Sequence, residues 1–186
     1  MAYFGARTPI IAKLKDDTPT YENGFECGEA MEISLEPGSS EATLYGNNQA
    51  TNSVNRFKSL AVTLDVTRLP KEAYTVIFGR TVSESGGVTF NTNDTTHYVG
   101  FGFVTMEEID GVQKYIPYWV YKVKFAAPAS KAKTIGDSIE FSTPSLTGTA
   151  IALPDGKYQD FDICETEEAA ITWLKEKAAI EALNQE

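Results

Sequence analysis

The sequence predicts a mostly β protein of the α+β class, with one short flanking helix and a second helix at its C-terminal end. Three observations carry that reading. Apolar and polar residues alternate with period two in several stretches, as they do in strands with one buried face. Turn-forming pairs separate these stretches, Asp110-Gly111 most clearly. From about Asp162 onward the composition shifts to Ala, Glu, Lys and Leu, all helix formers.

Residues 29–36 (EAMEISLE) put Met31, Ile33 and Leu35 on one face and Glu32, Ser34 and Glu36 on the other. Residues 59–67 (SLAVTLDVT) repeat the pattern, with Leu60, Val62, Leu64 and Val66 opposed to Ser59, Thr63, Asp65 and Thr67. Between them runs a polar, Asn-rich stretch, Pro37 to Lys58, too long for a hairpin connection of about 2–5 residues. It is expected to form a long interaction loop over residues 38–57, with Leu44, Tyr45 and Val54 as apolar anchors. Pro70 and Gly79 frame a short helix over 69–79, in which Leu69, Ala73 and Ile77 recur every four residues. The β-branched residues between Tyr74 and Phe78 leave a strand there as the alternative.

Further strands are expected at 88–90, 97–106, 114–125, 137–144 and 145–153. In the second of these Val99, Phe101 and Phe103 share a face, and Gly100 and Gly102 on the other admit a closely packed neighbour. Pro117 predicts an edge or a bulge early in the 114–125 strand. The closing helix is expected to run about 20 residues, some 30 Å, capped by Asp162 or Thr166. Ile171, Leu174 and Ala178 form one apolar stripe; Trp173 and Ile180 lie off it and mark a possible second contact surface. The chain thus divides into a β domain over 1–160 and a helical extension over 161–186.

Composition narrows the function. The 186 residues carry a net charge of −10, opposite in sign to the basic footprint of nucleic-acid binders and to what an anionic membrane attracts. Cys27 and Cys164 stand far apart without a CxxC pair, which suits two unpaired thiols and gives no zinc pattern. The first residues lack the apolar core of a secretory signal, and no apolar run approaches the roughly 18 residues of a membrane helix. A protein made in the cytoplasm, with no membrane partner, is expected.

Candidate chemistry is sparse. His97 is the single histidine, so any Ser-His-Asp or Cys-His device would need it; at the start of a strand it reads better as a packing residue. Glu107, Glu108 and Asp110 read as a solvated hairpin tip. Gly100-Phe101-Gly102 lacks the third glycine and the helix of a phosphate loop. No metal, cofactor or catalytic residue is expected. Tyr115, Tyr118, Trp119 and Tyr121 raise a different class of function, an aromatic platform for carbohydrate, although they alternate over both strand faces.

The segment SLEPGSSEATLYGNNQATNSVNRF, followed by SLAVTLDVTRLPKEAYTVIFG, resembles phage major tail proteins of the phi13 type, the tail tube proteins of long-tailed bacteriophages. The core of the resemblance is Ala42-Thr43-Leu44-Tyr45-Gly46-Asn47-Asn48-Gln49, and YVGFGF, KYIPYWVYKVKFAAPA and GDSIEFSTPSLTG follow in the same order. The resemblance implies a β-sandwich or partly closed barrel whose copies form hexameric rings. Those rings stack into a tube around a tape measure protein, bounded by tail terminator and distal tail proteins. DNA passes through without specific binding, and the location is the virion tail. It also implies that Leu44, Tyr45, Asn47, Asn48, Gln49 and Val54 reach an adjacent subunit or ring. Thr63, Asp65, Ser138 and Glu140 would then face the channel. The inner tube of a contractile tail, or of a phage-derived bacteriocin, is the nearest alternative.

Overall fold

Alternation builds the molecule from two facing layers of strands. The computed structural model describes residues 3–15, 19–46, 49–83, 85–129 and 143–180. Among them the chain forms β1 (Tyr3–Leu14), β2 (Tyr21–Glu26), β3 (Ala30–Gly46), β4 (Gln49–Val66), α1 (Lys71–Val76), β5 (Thr81–Val82), β6 (Val88–Thr89), β7 (Val99–Ile109), β8 (Val112–Phe125), β9 (Ser145–Ala150), β10 (Gln159–Phe161) and α2 (Glu167–Lys177). One antiparallel sheet runs in the order β2-β1-β7-β8-β9-β4-β3, with β10 also on β8, and β5-β6 form a separate small hairpin. The fold is mostly β with two helices, a β-sandwich-like α+β arrangement.

The sheet turns a corner at β8. Its last residues pair with β9 (Val123↔Ala150, Phe125↔Gly148), which carries β4 and β3 round to face β1, β7 and β8. Leu60, Val62, Leu64 and Val66 of β4 are buried in this space with Ile11, Val99, Phe101, Phe103, Val120, Val123 and Leu146. Helix α1 closes one end with Ala73 and Ile77 fully buried, and Gly79 (φ +62°) takes the left-handed step that ends it. The strand alternative for Tyr74 to Phe78 is not what forms.

The outer face of β1, β7 and β8 is covered by α2. Gly100 and Gly102 lie on that face, and a Cβ at either would sit within 2.5 Å of the Trp119 ring. Bare backbone there lets fully buried Trp119 lie flat against β7, and Ala170, Leu174 and Ala178 of α2 pack beside it. Thr166 caps the helix, its Oγ1 accepting from the Ala169 N–H at 3.3 Å.

Several expectations need correction. The 38–57 stretch is no loop: β3 and β4 stay paired from Gly38↔Ser59 out to Gly46↔Gln49, with register shifts after Gly38 and after Leu44. A two-stranded ribbon exposed on both faces leaves no apolar alternation in its sequence, which is why it reads as coil. The C-terminal helix has 11 residues, because Gln159–Phe161 and Cys164 are drawn into pairing with β8 instead. It packs on the sheet through Ala170, Leu174 and Ala178. Pro117 lies on no edge and no bulge: it faces Asp162, whose N–H donates to its carbonyl at 3.2 Å, and the ring nitrogen merely forgoes the reciprocal bond. The strand expected at 137–144 lies, up to residue 142, outside the described residues.

Candidate assembly surfaces

The β3–β4 hairpin has two parts. At its root β4 is clamped between β3 and β9 over Leu60–Asp65. Beyond Gly38 the two strands pair only with each other, so both outer edges of the ribbon lack a strand partner among the described residues. Eight residues from Ser39 to Gly46 project roughly 26 Å at about 3.3 Å per residue. A bulge marks the boundary: Gly38 faces Ser59 but Ser39 faces Phe57, leaving Lys58 as the extra residue. It turns Phe57 inward, where its ring stacks on Tyr158 (centroids 4.1 Å apart, 13° between planes). Past this anchor the ribbon holds few apolar side chains. Val54, opposite Ala42, is 46% exposed, and Asn55 Nδ2 donates to Glu41 Oε1 at 3.2 Å.

An isolated two-stranded ribbon is marginal in water. Among the described residues no further strand pairs with either border of this one, which leaves them a template for strand addition. The remaining length of β3 is likewise an edge of the main sheet. Next to that edge a groove of about 340 Å³ opens into the core between the layers, lined by Ile33, Leu35, Pro37, Phe103, Tyr118 and Tyr158.

The outward face of β3, β4 and β9 has a different character. Register sets three rows across it: Glu32, Asp65 and Ser145; Ser34, Thr63 and Thr147; Glu36, Ala61 and Thr149. Three carboxylates, five hydroxyls and one methyl make a face without a large apolar side chain or a cation. Ser34 Oγ donates to Glu36 Oε1 at 3.4 Å, and Asp65 Oδ1 is buried without a hydrogen-bond partner among the described residues.

The expected site residues fall as follows. Thr63 and Asp65 lie together in the middle of this polar face. Leu44, Tyr45 and Gln49 are placed near the ribbon tip by backbone pairing, with Val54 further down. Asn47, Asn48, Ser138 and Glu140 lie outside the described residues. Trp173 and Ile180 do not form an outward surface together: both are half-buried against their own body, Trp173 with the Lys177 ammonium 4.8 Å from its ring centroid and Ile180 over Gly24. Sequence reading missed Glu32 and Glu36 as partners of Asp65, although their parity in the alternation would have found them.

Other candidates lose their chemistry in place. His97 Nδ1 lies 3.1 Å from the Val76 carbonyl at the end of α1, a packing contact. Cys27 is fully buried, which pushes its thiol up to about 12, and burial also raises that of Cys164. Glu107 is not at a solvated tip; it is 3% exposed, with Oε1 unpartnered among the described residues. Trp119 and Tyr121 are buried under α2, while Tyr118 points to the opposite face, so these aromatics form no common platform. Among the described residues no group of three His, Cys, Asp or Glu is placed to hold a metal ion.

Comparison with known proteins adds no family. No family model matches the chain. No curated protein matches it either.

Proposed function

We propose that this chain is a structural subunit that polymerises, and that its polymer is the tail tube of a long-tailed bacteriophage. One observation carries the reading: a long β-ribbon projects from a well-packed body with neither border paired to a further strand among the described residues. Strand borders of this kind are completed by another strand, and here copies of the chain supply it. Heterologous contacts generate rings when the rotation closes and filaments when it does not, and a tube of stacked hexameric rings uses both. The resemblance of residues 3–153 to major tail proteins points to the same assembly, with a tape measure protein inside it during growth.

The acidic, hydroxyl-rich face of β3, β4 and β9 is the surface assigned to the channel. Carboxylates there repel the phosphate backbone, so DNA slides past without binding. On this reading the protein is not an enzyme and needs no cofactor.

Negative-stain microscopy of concentrated purified protein tests the proposal. Rings or tubes of one uniform width are expected, and material that stays monomeric at every concentration and salt overturns it. Replacing Leu44 and Tyr45 together by Ser is expected to leave the melting transition of the body in place and to abolish polymer.

A further inference from the structure

A cavity of about 390 Å³ opens beside α1, lined by Phe78, Arg80, Phe90, Thr92, Asp94 and Ala127, among others. Arg80 is its one cation among the described residues. The guanidinium carbon lies 4.0 Å from the Phe90 ring centroid, 4.9 Å from Phe78 and 5.8 Å from Tyr74. No carboxylate pairs with Arg80 among the described residues. Asp94 shares the cavity but turns its Oδ2 back to the Asn91 backbone N–H at 2.8 Å. Phe90 is 64% exposed, the most open of the large apolar side chains described. Arg68 precedes α1 and Lys71 is its first residue, both also without an ion pair among the described residues. Glu72 in the first turn of α1 and Asp94 in the cavity leave this end mixed in charge, with Arg80 the cation that lines the cavity among the described residues.

The opposite end of the molecule is the complement of this cavity. Strand β8 begins at the β7–β8 turn and ends at Phe125, two residues before Ala127 in the cavity wall. Its 14 residues run roughly 45 Å as an extended strand. The turn carries Asp110, with Glu108 beside it, and exposes Val112 at 53%. Asp110 (φ +54°) and Gly111 (φ +77°) are held in the tight left-handed turn of a two-residue hairpin, a rigid protrusion. One end therefore offers a carboxylate beside an apolar side chain, and the other a guanidinium beside an aromatic ring.

We infer that the β7–β8 turn of one copy seats in the α1-end cavity of the next, Asp110 pairing with Arg80 and Val112 lying on Phe90. Because socket and plug lie at opposite ends, the contact is head to tail and propagates. Stacking on the Phe90 face keeps the guanidinium fork presented for a planar carboxylate. This inference rests on the tube-subunit reading and names the axial contact within it, separate from the ribbon.

Sedimentation velocity over a concentration series tests it with Arg80→Glu, Asp110→Asn and the exchange Arg80→Glu with Asp110→Arg; Asn at 110 retains the left-handed turn. Each single variant should raise the concentration at which polymer appears about tenfold or more, with an unchanged thermal midpoint. The exchange should recover a large part of that loss. Wild-type polymer with singles that assemble equally well overturns the axial contact and leaves the ribbon reading standing. Singles that assemble poorly with no recovery in the exchange overturn the specific pair. A wild-type chain that never polymerises overturns both readings.

Discussion

Two absent side chains set the thickness of the body at its centre. Gly100 and Gly102 leave the β7 backbone open to the Trp119 ring, and a Cβ on Gly102 would lie 2.5 Å from Trp119 and 2.7 Å from Leu174. Neither neighbour has room to retreat, since both are fully buried. Gly102→Ala is therefore expected to destabilise by about 1–3 kcal/mol through overpacking, read as a lower urea midpoint at constant m-value. This constraint was legible in the sequence, where both glycines fall on the face opposite Phe101 and Phe103. Glu107 was legible by the same parity, since it continues the Phe101, Phe103, Thr105 row into the interior. Its charge and its neighbours Glu108 and Asp110 outweighed the alternation in reading it as solvated.

At the scale of elements, α2 is held by burial and by a polar tether. Lys177 Nζ donates to Asp160 Oδ2 at 2.8 Å, and Tyr121 donates to the same oxygen at 3.1 Å. Burial acts to raise the Asp160 carboxyl, but the Lys177 bond and charge outweigh it and leave it below its ordinary value. Burial likewise acts to lower the Lys177 ammonium, and Asp160 with Tyr121 leaves it raised. The signs define a window. The Asp160 contribution is present above the ordinary carboxylate range and is lost as pH falls through its lowered folded value. The Lys177 contribution is present below the ordinary lysine range and is lost as pH rises through its raised value. The pair is partly exposed, so Asp160→Asn should cost only about 0.5–1 kcal/mol at neutral pH. Urea titrations at pH 7 and at strongly acidic pH should show that difference shrinking toward zero in acid.

Elements also mark where sequence stopped being informative. Strands with one buried face declared themselves by period two, and the Asp110-Gly111 turn by composition. The distal ribbon did not, because Ser39 to Thr43 and Asn52 to Arg56 have no interior side to distinguish. Helix α2 was overextended because its Ala- and Glu-rich text carries no stop signal. Pairing of Cys164 with Tyr115 before it and the left-handed Ala179 (φ +51°) after it set its limits, and both depend on tertiary contacts.

At the scale of the whole molecule, charge is distributed by surface. The β3, β4 and β9 face is acidic, the α1 end carries Arg68, Lys71 and Arg80 without an ion pair among the described residues, and the described ion pairs mostly tie elements of the body together, as Arg7 with Glu167 and Lys175 with Glu26 do. If the chain forms the proposed tube, particles in which Glu32 and Glu36 are replaced by Lys should assemble to normal length yet release DNA more slowly, because phosphates would then bind the wall. Single-particle ejection kinetics identical to wild type would remove that face from the proposed channel. Sequence gave the alternation that defines the face, but which strands lie side by side depends on the corner at β8, and no local pattern encodes it.

The strand order also governs when the subunit becomes competent during synthesis. Ile11 of β1 pairs with Phe101 of β7, 90 positions later (101 − 11), and β4 waits 80 positions for β9 (145 − 65). Contacts so distant along the chain close slowly. The base of the projecting ribbon stays unclamped while the ribosome is still making the second half of the polypeptide. On the proposed reading, a nascent chain would therefore carry its projecting hairpin on an unfinished mount, and translation itself would delay polymerisation until a finished body can hold that hairpin at a fixed angle.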